Sequence, residues 1–85
     1  MSRDLIKKTH LKGKHLYYIR SGPYIKIGRT DNPELRLRQI KASNPFGASL
    51  IKVIKDAGEL EHSLHQKYKN KHHTGEWFLL SDDEI

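Results

Sequence analysis

The chain has 85 residues and no cysteine, and its 16 Lys and Arg outnumber 10 Asp and Glu for a formal charge of +6. That length supports one domain with a modest core, and the missing cysteines exclude disulfides and thiolate metal sites. No apolar run approaches the roughly 20 residues that cross a bilayer, and the first residues lack the apolar stretch of a secretory leader, so the expectation is a soluble cytoplasmic protein with no membrane partner.

Charge is unevenly spread. Residues 1–75 hold all 16 basic residues and 6 acidic ones, a balance of +10, while Glu76, Asp82, Asp83 and Glu84 close the chain. A strongly basic body favours a polyanionic partner, nucleic acid before anionic membrane. The plainer alternative is a solvated basic surface with no anionic ligand.

Residues 1–14 are polar and lysine-rich and read as a basic arm, with at most one helical turn over 5–8. Its plain reading is a frayed terminus and its functional one a contact to phosphates. Residues 16–20 (Leu-Tyr-Tyr-Ile-Arg) and 24–28 (Tyr-Ile-Lys-Ile-Gly) are rich in β formers, with turn chemistry at Ser21-Gly22-Pro23 between them. Together they predict a hairpin. With Tyr17 opposite Lys26, the residues Leu16, Tyr18, Ile25 and Ile27 share a core-facing side. Tyr17, Ile19, Tyr24 and Lys26 then occupy an amphipathic outer side.

Asn32-Pro33-Glu34 is a helix start, with Asn32 as N-cap, Pro33 at the first helical position and Glu34 complementing the dipole. The helix should end near residue 41 or 42, before Asn44-Pro45-Phe46-Gly47, with Leu37 and Ile40 inward and Leu35 near the edge. Residues 49–55 predict a third strand. Asp56 is placed to cap a second helix over about 57–70, whose stripe is Ala57, Leu60, Leu64 and Tyr68. His72-His73-Thr74-Gly75 leads out to an apolar closing segment at 76–80, either a short strand or an extended lid, with Trp77 as the apolar anchor. The order is ββαβα plus a closing element, a small α/β (α+β) fold with helices packed on a sheet opened by a hairpin.

Five short motifs stand in order: Lys26-Ile27-Gly28-Arg29-Thr30, Arg36-Leu37-Arg38-Gln39, Asn44-Pro45, Leu60-Glu61-His62-Ser63-Leu64-His65 and Gly75-Glu76-Trp77-Phe78. In this order and spacing they resemble the GIY-YIG nuclease superfamily, and within it the small phage-type branch called T5orf172-like. The resemblance covers roughly residues 15–80, leaving the arm at 1–14 and an acidic tail at 81–85 outside it. His15-Leu16-Tyr17 stands where the first name motif would be and Lys26-Ile27-Gly28 where the second would be. His15-Leu16 replaces Gly-Ile, and Lys26 replaces the second tyrosine. The superfamily's asparagine near the C-terminus has no clear counterpart.

The resemblance implies a metal-dependent endonuclease, a phosphodiester hydrolase acting on DNA with a single Mg²⁺ or Mn²⁺. Tyr17 would be the general base, its phenol lowered by Lys26 across the hairpin. Arg36 would clamp the scissile phosphate, and Glu61 would hold the metal with waters and substrate oxygens. His65, four residues after Glu61, would orient the glutamate, touch phosphate or assist proton transfer. Lys12, Lys14, Arg29, Arg38 and Lys41 would steer the DNA backbone. The plain readings are a strand aromatic for Tyr17, a solvated helix arginine for Arg36, an ion pair for Glu61 and a core-edge histidine for His65. Glu76 is placed with the core-closing segment, with a site partner as its alternative. The histidines at 62, 72 and 73 lack zinc-site spacing. The runner-up function is a catalytically weak module on the same fold that binds nucleic acid or protein. A monomer or a weak homodimer is equally compatible with the sequence.

Overall fold

The computed structural model describes residues 13–85, so Lys12 and the helical turn expected over 5–8 lie outside it. It begins with the hairpin. Strand β1 (His15–Ser21) pairs antiparallel with β2 (Tyr24–Thr30), and Gly22-Pro23 forms the two-residue loop. Gly22 has φ +58 at the first loop position, a backbone conformation that primed hairpin turns require and glycine adopts without strain. That tight turn sets the register. Tyr17 faces Gly28 and Ile19 faces Lys26, a two-residue correction to the expected Tyr17–Lys26 pairing. Side chains alternate with period two, so the slip leaves every residue on its expected face.

The first face is the core. Leu16, Tyr18, Ile25 and Ile27 cluster with Tyr68, Phe78 and Leu80, and Ala57, Leu64 and Ile85 pack against them. The second face is covered as well: Tyr17 is 1% and Ile19 0% exposed, against the expectation of an amphipathic outer side. Helix α1 (Pro33–Ala42) lies against β1, β2 and β3 and presents half-buried Leu37 and Ile40. Its start follows the sequence: the Asn32 side chain accepts from the Leu35 amide at 3.1 Å and Pro33 opens the first turn.

Strand β3 (Ser49–Ile54) pairs with β1 through a bulge at Ile51 and forms one edge of the sheet. The second helix is shorter and more broken than the apolar stripe suggests. Asp56 does not cap it; it adopts φ +60 and donates its amide to His15 Nδ1 at 3.0 Å. A 3-10 turn at Gly58–Leu60 precedes helix α2 (Glu61–Lys67), and another at Lys69–Lys71 follows. The first turn rotates Leu60 out of the stripe to 45% exposure, whereas Leu64 and Tyr68 keep their inward places.

The closing segment supplies two strands, β4 (His72–Thr74) and β5 (Trp77–Phe78). The sheet is five-stranded and antiparallel throughout, in the order β3-β1-β2-β5-β4. Phe78 is the buried anchor at 1% exposure, and Trp77 is only half-buried, which reverses the expected role of Trp77. The acidic end folds back on the body: Asp82 meets Arg20 at 3.1 Å, Glu84 meets Lys71 at 2.9 Å, and Tyr68 donates to the Glu84 carbonyl at 3.0 Å. Among the described residues no helix is long and apolar enough to cross a membrane.

Candidate functional site

β5 is only two residues long, and that decides where the charged groups gather. It pairs with β2 at Ile25 and Lys26, and the Ile27 amide still donates to the Glu76 carbonyl at 3.1 Å. Beyond that point the edge of β2 has no strand beside it. Helix α2 comes up there, and His65 Nε2 donates to the Ile27 carbonyl at 2.8 Å. The bond satisfies a strand carbonyl that would otherwise lack a partner. Because a carbonyl only accepts, it places the proton on Nε2. The same nitrogen lies 3.8 Å from Glu61 Oε2, and the ring meets Phe78 edge-on at 4.9 Å.

Glu61, at the first turn of α2, is therefore held at the end of the sheet. Its side chain is 17% exposed. Burial raises its pKa above the usual carboxylate value; Glu76 raises it further by its charge and by a shared hydrogen bond, and His65 and Arg29 pull it down. Glu76 Oε1 is 3.3 Å from Lys26 Nζ, and Lys26 also lies 5.5 Å above the Trp77 ring. Lys26 thus neutralises Glu76, not the Tyr17 phenol.

Tyr17 completes the group. Its ring lies across Gly28, where any Cβ would overlap the ring and its hydroxyl. Its pKa is pushed up to about 12, first by burial, then by Glu76, with Arg36 opposing and Glu61 adding to the rise. The lowering expected from Lys26 is reversed, for a physical reason: the phenol is buried, two carboxylates share its surroundings, and the ammonium is already paired. The phenol is therefore a proton donor at neutral pH. Arg36 is exposed on α1, and its charge reaches Tyr17.

The structure thus brings Tyr17, Lys26, Glu61, His65 and Glu76 together at one end of the sheet, with Arg36 facing them electrostatically. It does not bring all the expected DNA-contact residues there. Lys14 is tied to Asp56 at 3.3 Å, Arg38 and Lys41 are exposed on α1, and Lys12 is outside the described residues. Arg29 stands near Gly13 and acts on Glu61 through its charge.

The chain matches the T5orf172 domain over residues 12–85. It belongs to that family. No curated protein and no solved structure matches it.

In this T5orf172 domain, Glu76, placed by the sequence with the core-closing segment and with a site partner as its alternative, stands in the charged group beside Lys26 and Glu61. The signal was present in Gly75-Glu76-Trp77-Phe78, but its meaning depends on β5 pairing with β2, which sets Glu76 beside Lys26. The two carboxylates also bear on whether a divalent ion fits. Among the described residues no three or more His, Asp or Glu converge as a metal cage. Glu61 and Glu76 are nevertheless two crowded, half-buried carboxylates, a donor pair that could hold a divalent ion if waters and substrate oxygens completed the shell. In the metal-free protein Tyr17 is expected to keep its proton at pH 11, where a free tyrosine is mostly phenolate. Tyrosine ring-carbon NMR, with Tyr17→Phe to assign the resonance, measures it. A Tyr17 midpoint at or below 10 would show that Lys26 governs the phenol after all.

Proposed function

We propose that this T5orf172 domain is a GIY-YIG-type endonuclease that hydrolyses DNA phosphodiester bonds with one Mg²⁺ or Mn²⁺. The observation that carries the reading is the meeting of Glu61, Glu76, Lys26 and Tyr17 at one end of the sheet, within reach of Arg36's charge. A fold that needed only to bind a polyanion gains nothing by placing two carboxylates there, because they repel phosphate. A divalent ion removes that repulsion and makes the same residues complementary to phosphate.

In this reading Glu61 holds the ion, with Glu76 beside it. The ion supplies charge neutralisation and an acidified water. Arg36 clamps the scissile phosphate through its planar fork. Tyr17 enters as a neutral phenol that donates a hydrogen bond to the attacking water or to a phosphate oxygen. It becomes competent as a base only once the negative charge of Glu61 and Glu76 is offset. Lys26 holds Glu76 in place and stabilises developing oxyanion charge. His65 is a positioning residue, fixing α2 and Glu61 against the Ile27 carbonyl. Arg29, Arg38 and Lys41, with Lys12 and Lys14 from the start of the chain, would track the DNA backbone. The setting is cytoplasmic, and the domain acts as a monomer or a weak homodimer.

One observation favours the second reading, a DNA-binding module that cuts poorly: the phenol is held protonated and the lysine is engaged. Plasmid nicking separates the two. The purified chain should convert supercoiled DNA to nicked circles with Mg²⁺ or Mn²⁺ and not in EDTA, and Arg36→Ala should slow this by about a hundredfold or more. Gel retardation at low salt with no cutting of supercoiled, linear or branched DNA under any metal assigns the chain to the binding module.

A further inference from the structure

Beside this group lies a cleft of about 420 Å³ that the proposed reaction does not use, lined by Tyr24, Asn44, Phe46, His73 and Trp77 and by the hairpin tip. Its walls are rings. Tyr24 stacks on His73 with centroids 4.3 Å apart, which holds both planes fixed. Phe46 is 87% exposed, an unusual place for a large aromatic side chain. Its loop is not free to fold the ring away. Asn44 Nδ2 donates to Ser21 Oγ at 2.6 Å, Ser21 Oγ donates to the Gly47 carbonyl at 2.8 Å, and the Phe46 amide donates to Asn44 Oδ1 at 3.0 Å. The clamp ties the loop to the hairpin tip and leaves the Phe46 ring standing at the mouth of the cleft.

Trp77 joins the cleft to the charged group. It pairs with Lys26 across β2 and β5, and the Lys26 ammonium lies 5.5 Å above its ring. Lys26, although paired with Glu76, thus links the cleft to the charged group, and a phosphate held at that group has its neighbouring nucleoside within reach of the cleft. An aliphatic side chain of a protein partner would find apolar walls there but no use for the adjoining cation. A nucleobase uses both, because it stacks on aromatic faces without regard to sequence while its phosphate meets the charge.

We infer that the cleft receives one unpaired nucleobase of the bound DNA, stacked against Phe46 and Trp77, so that the domain prefers strands with single-stranded, flapped or extruded nucleotides over uniform duplex. This rests on the nuclease reading for the adjoining phosphate. Base stacking on an aromatic side chain changes affinity by roughly 5- to 150-fold per base.

The test is binding of a short single strand carrying one fluorescent purine analogue, at low salt with Ca²⁺ in place of Mg²⁺ to offset the carboxylates without supporting cutting, beside a fully paired duplex. The analogue should be quenched by the wild-type chain. Phe46→Ala, a substitution at an exposed ring, should weaken single-strand binding by about tenfold and remove the quench. Duplex binding should stay within about twofold of wild type, and Phe46→Trp should restore the quench. Equal losses on single strand and duplex, or a quench indifferent to Phe46, overturn the inference and leave the cleft to a protein side chain or to none. A chain that nicks duplex with metal yet shows no Phe46-dependent quench keeps the nuclease reading and loses this one. Binding to neither nucleic acid removes both.

Discussion

Glu61→Gln is expected to give a protein that melts higher than wild type and does not nick DNA. The two effects share a cause. Burial and the neighbouring Glu76 raise the pKa of Glu61, so the fold resists the ionised form that holding a cation requires. A folded-state pKa above the unfolded value contributes stability that is complete below the ordinary carboxylate value and lost as pH rises through the raised one. The Glu61 contribution to stability should therefore fall on going from acid to neutral pH, and the glutamine variant should lack that fall. The gap should open through the carboxylate range and reach up to about 1 kcal/mol after solvent screening. For a domain this size that is a rise of a few degrees in Tm. Nicking should fall by at least about a hundredfold, as when a group that stabilises transition-state charge is removed. Circular-dichroism melts across that pH range, paired with nicking assays, measure both. If the variant instead melts lower at neutral pH, Glu61 is chiefly an ion-pair partner of His65 and Arg29, and the metal assignment goes with it.

What the sequence made legible follows from periodicity. Leu16, Tyr18, Ile25 and Ile27 were readable as one face because alternation survives any even slip of register. The slip itself depends on whether Gly22-Pro23 or Ser21-Gly22 occupies the two loop positions, and composition does not separate those choices. Helix α1 was readable because Asn32 and Pro33 are local signals acting on the next turn of the same chain. The burial of Tyr17 and Ile19 was not readable, because it is α1, fifteen or so residues further on, that covers them. The same holds for the pair Trp77 and Phe78. Adjacent residues of a strand face opposite ways, and only the pairing of β5 with β2 says which of the two meets the core.

The site divides in the same way. Tyr17, Lys26, Arg36 and Glu61 were found through motifs, and the fold does gather them. Their electrostatics were misjudged because pairing in the sequence is not pairing in space. Lys26 lies on the same face as Tyr17, yet its nearest acid is Glu76, fifty positions later. Burial first, and then the charge of Glu76, turn the expected pKa shift of the phenol upward, and Lys26, engaged by that acid, does not reverse it, so the expected base is a donor. His65 shows the converse: a residue singled out for chemistry has an evident mechanical task at the unpaired edge of β2.

Gly28→Ala is expected to damage fold and site together. No positive φ requires glycine at this position; the requirement is steric, because the ring and hydroxyl of Tyr17 occupy the place of a Cβ. Tyr17 is itself fully enclosed, so its ring has no open volume to enter. Overfilling a packed site costs about 1–3 kcal/mol. At roughly 4–8 °C per kcal/mol for a domain of this length, the alanine variant should melt about 5–20 °C lower. Even where it remains folded, the phenol must move from its place beside Glu61 and Glu76, and nicking should drop further than the folded fraction does. A double-mutant cycle isolates the cause. In a Tyr17→Leu background the ring is gone, and the added methyl should cost less than half as much. If the alanine costs the same in both backgrounds, the Lys26-Ile27-Gly28 glycine serves the β1–β2 backbone alone, and the placement of Tyr17 does not depend on it.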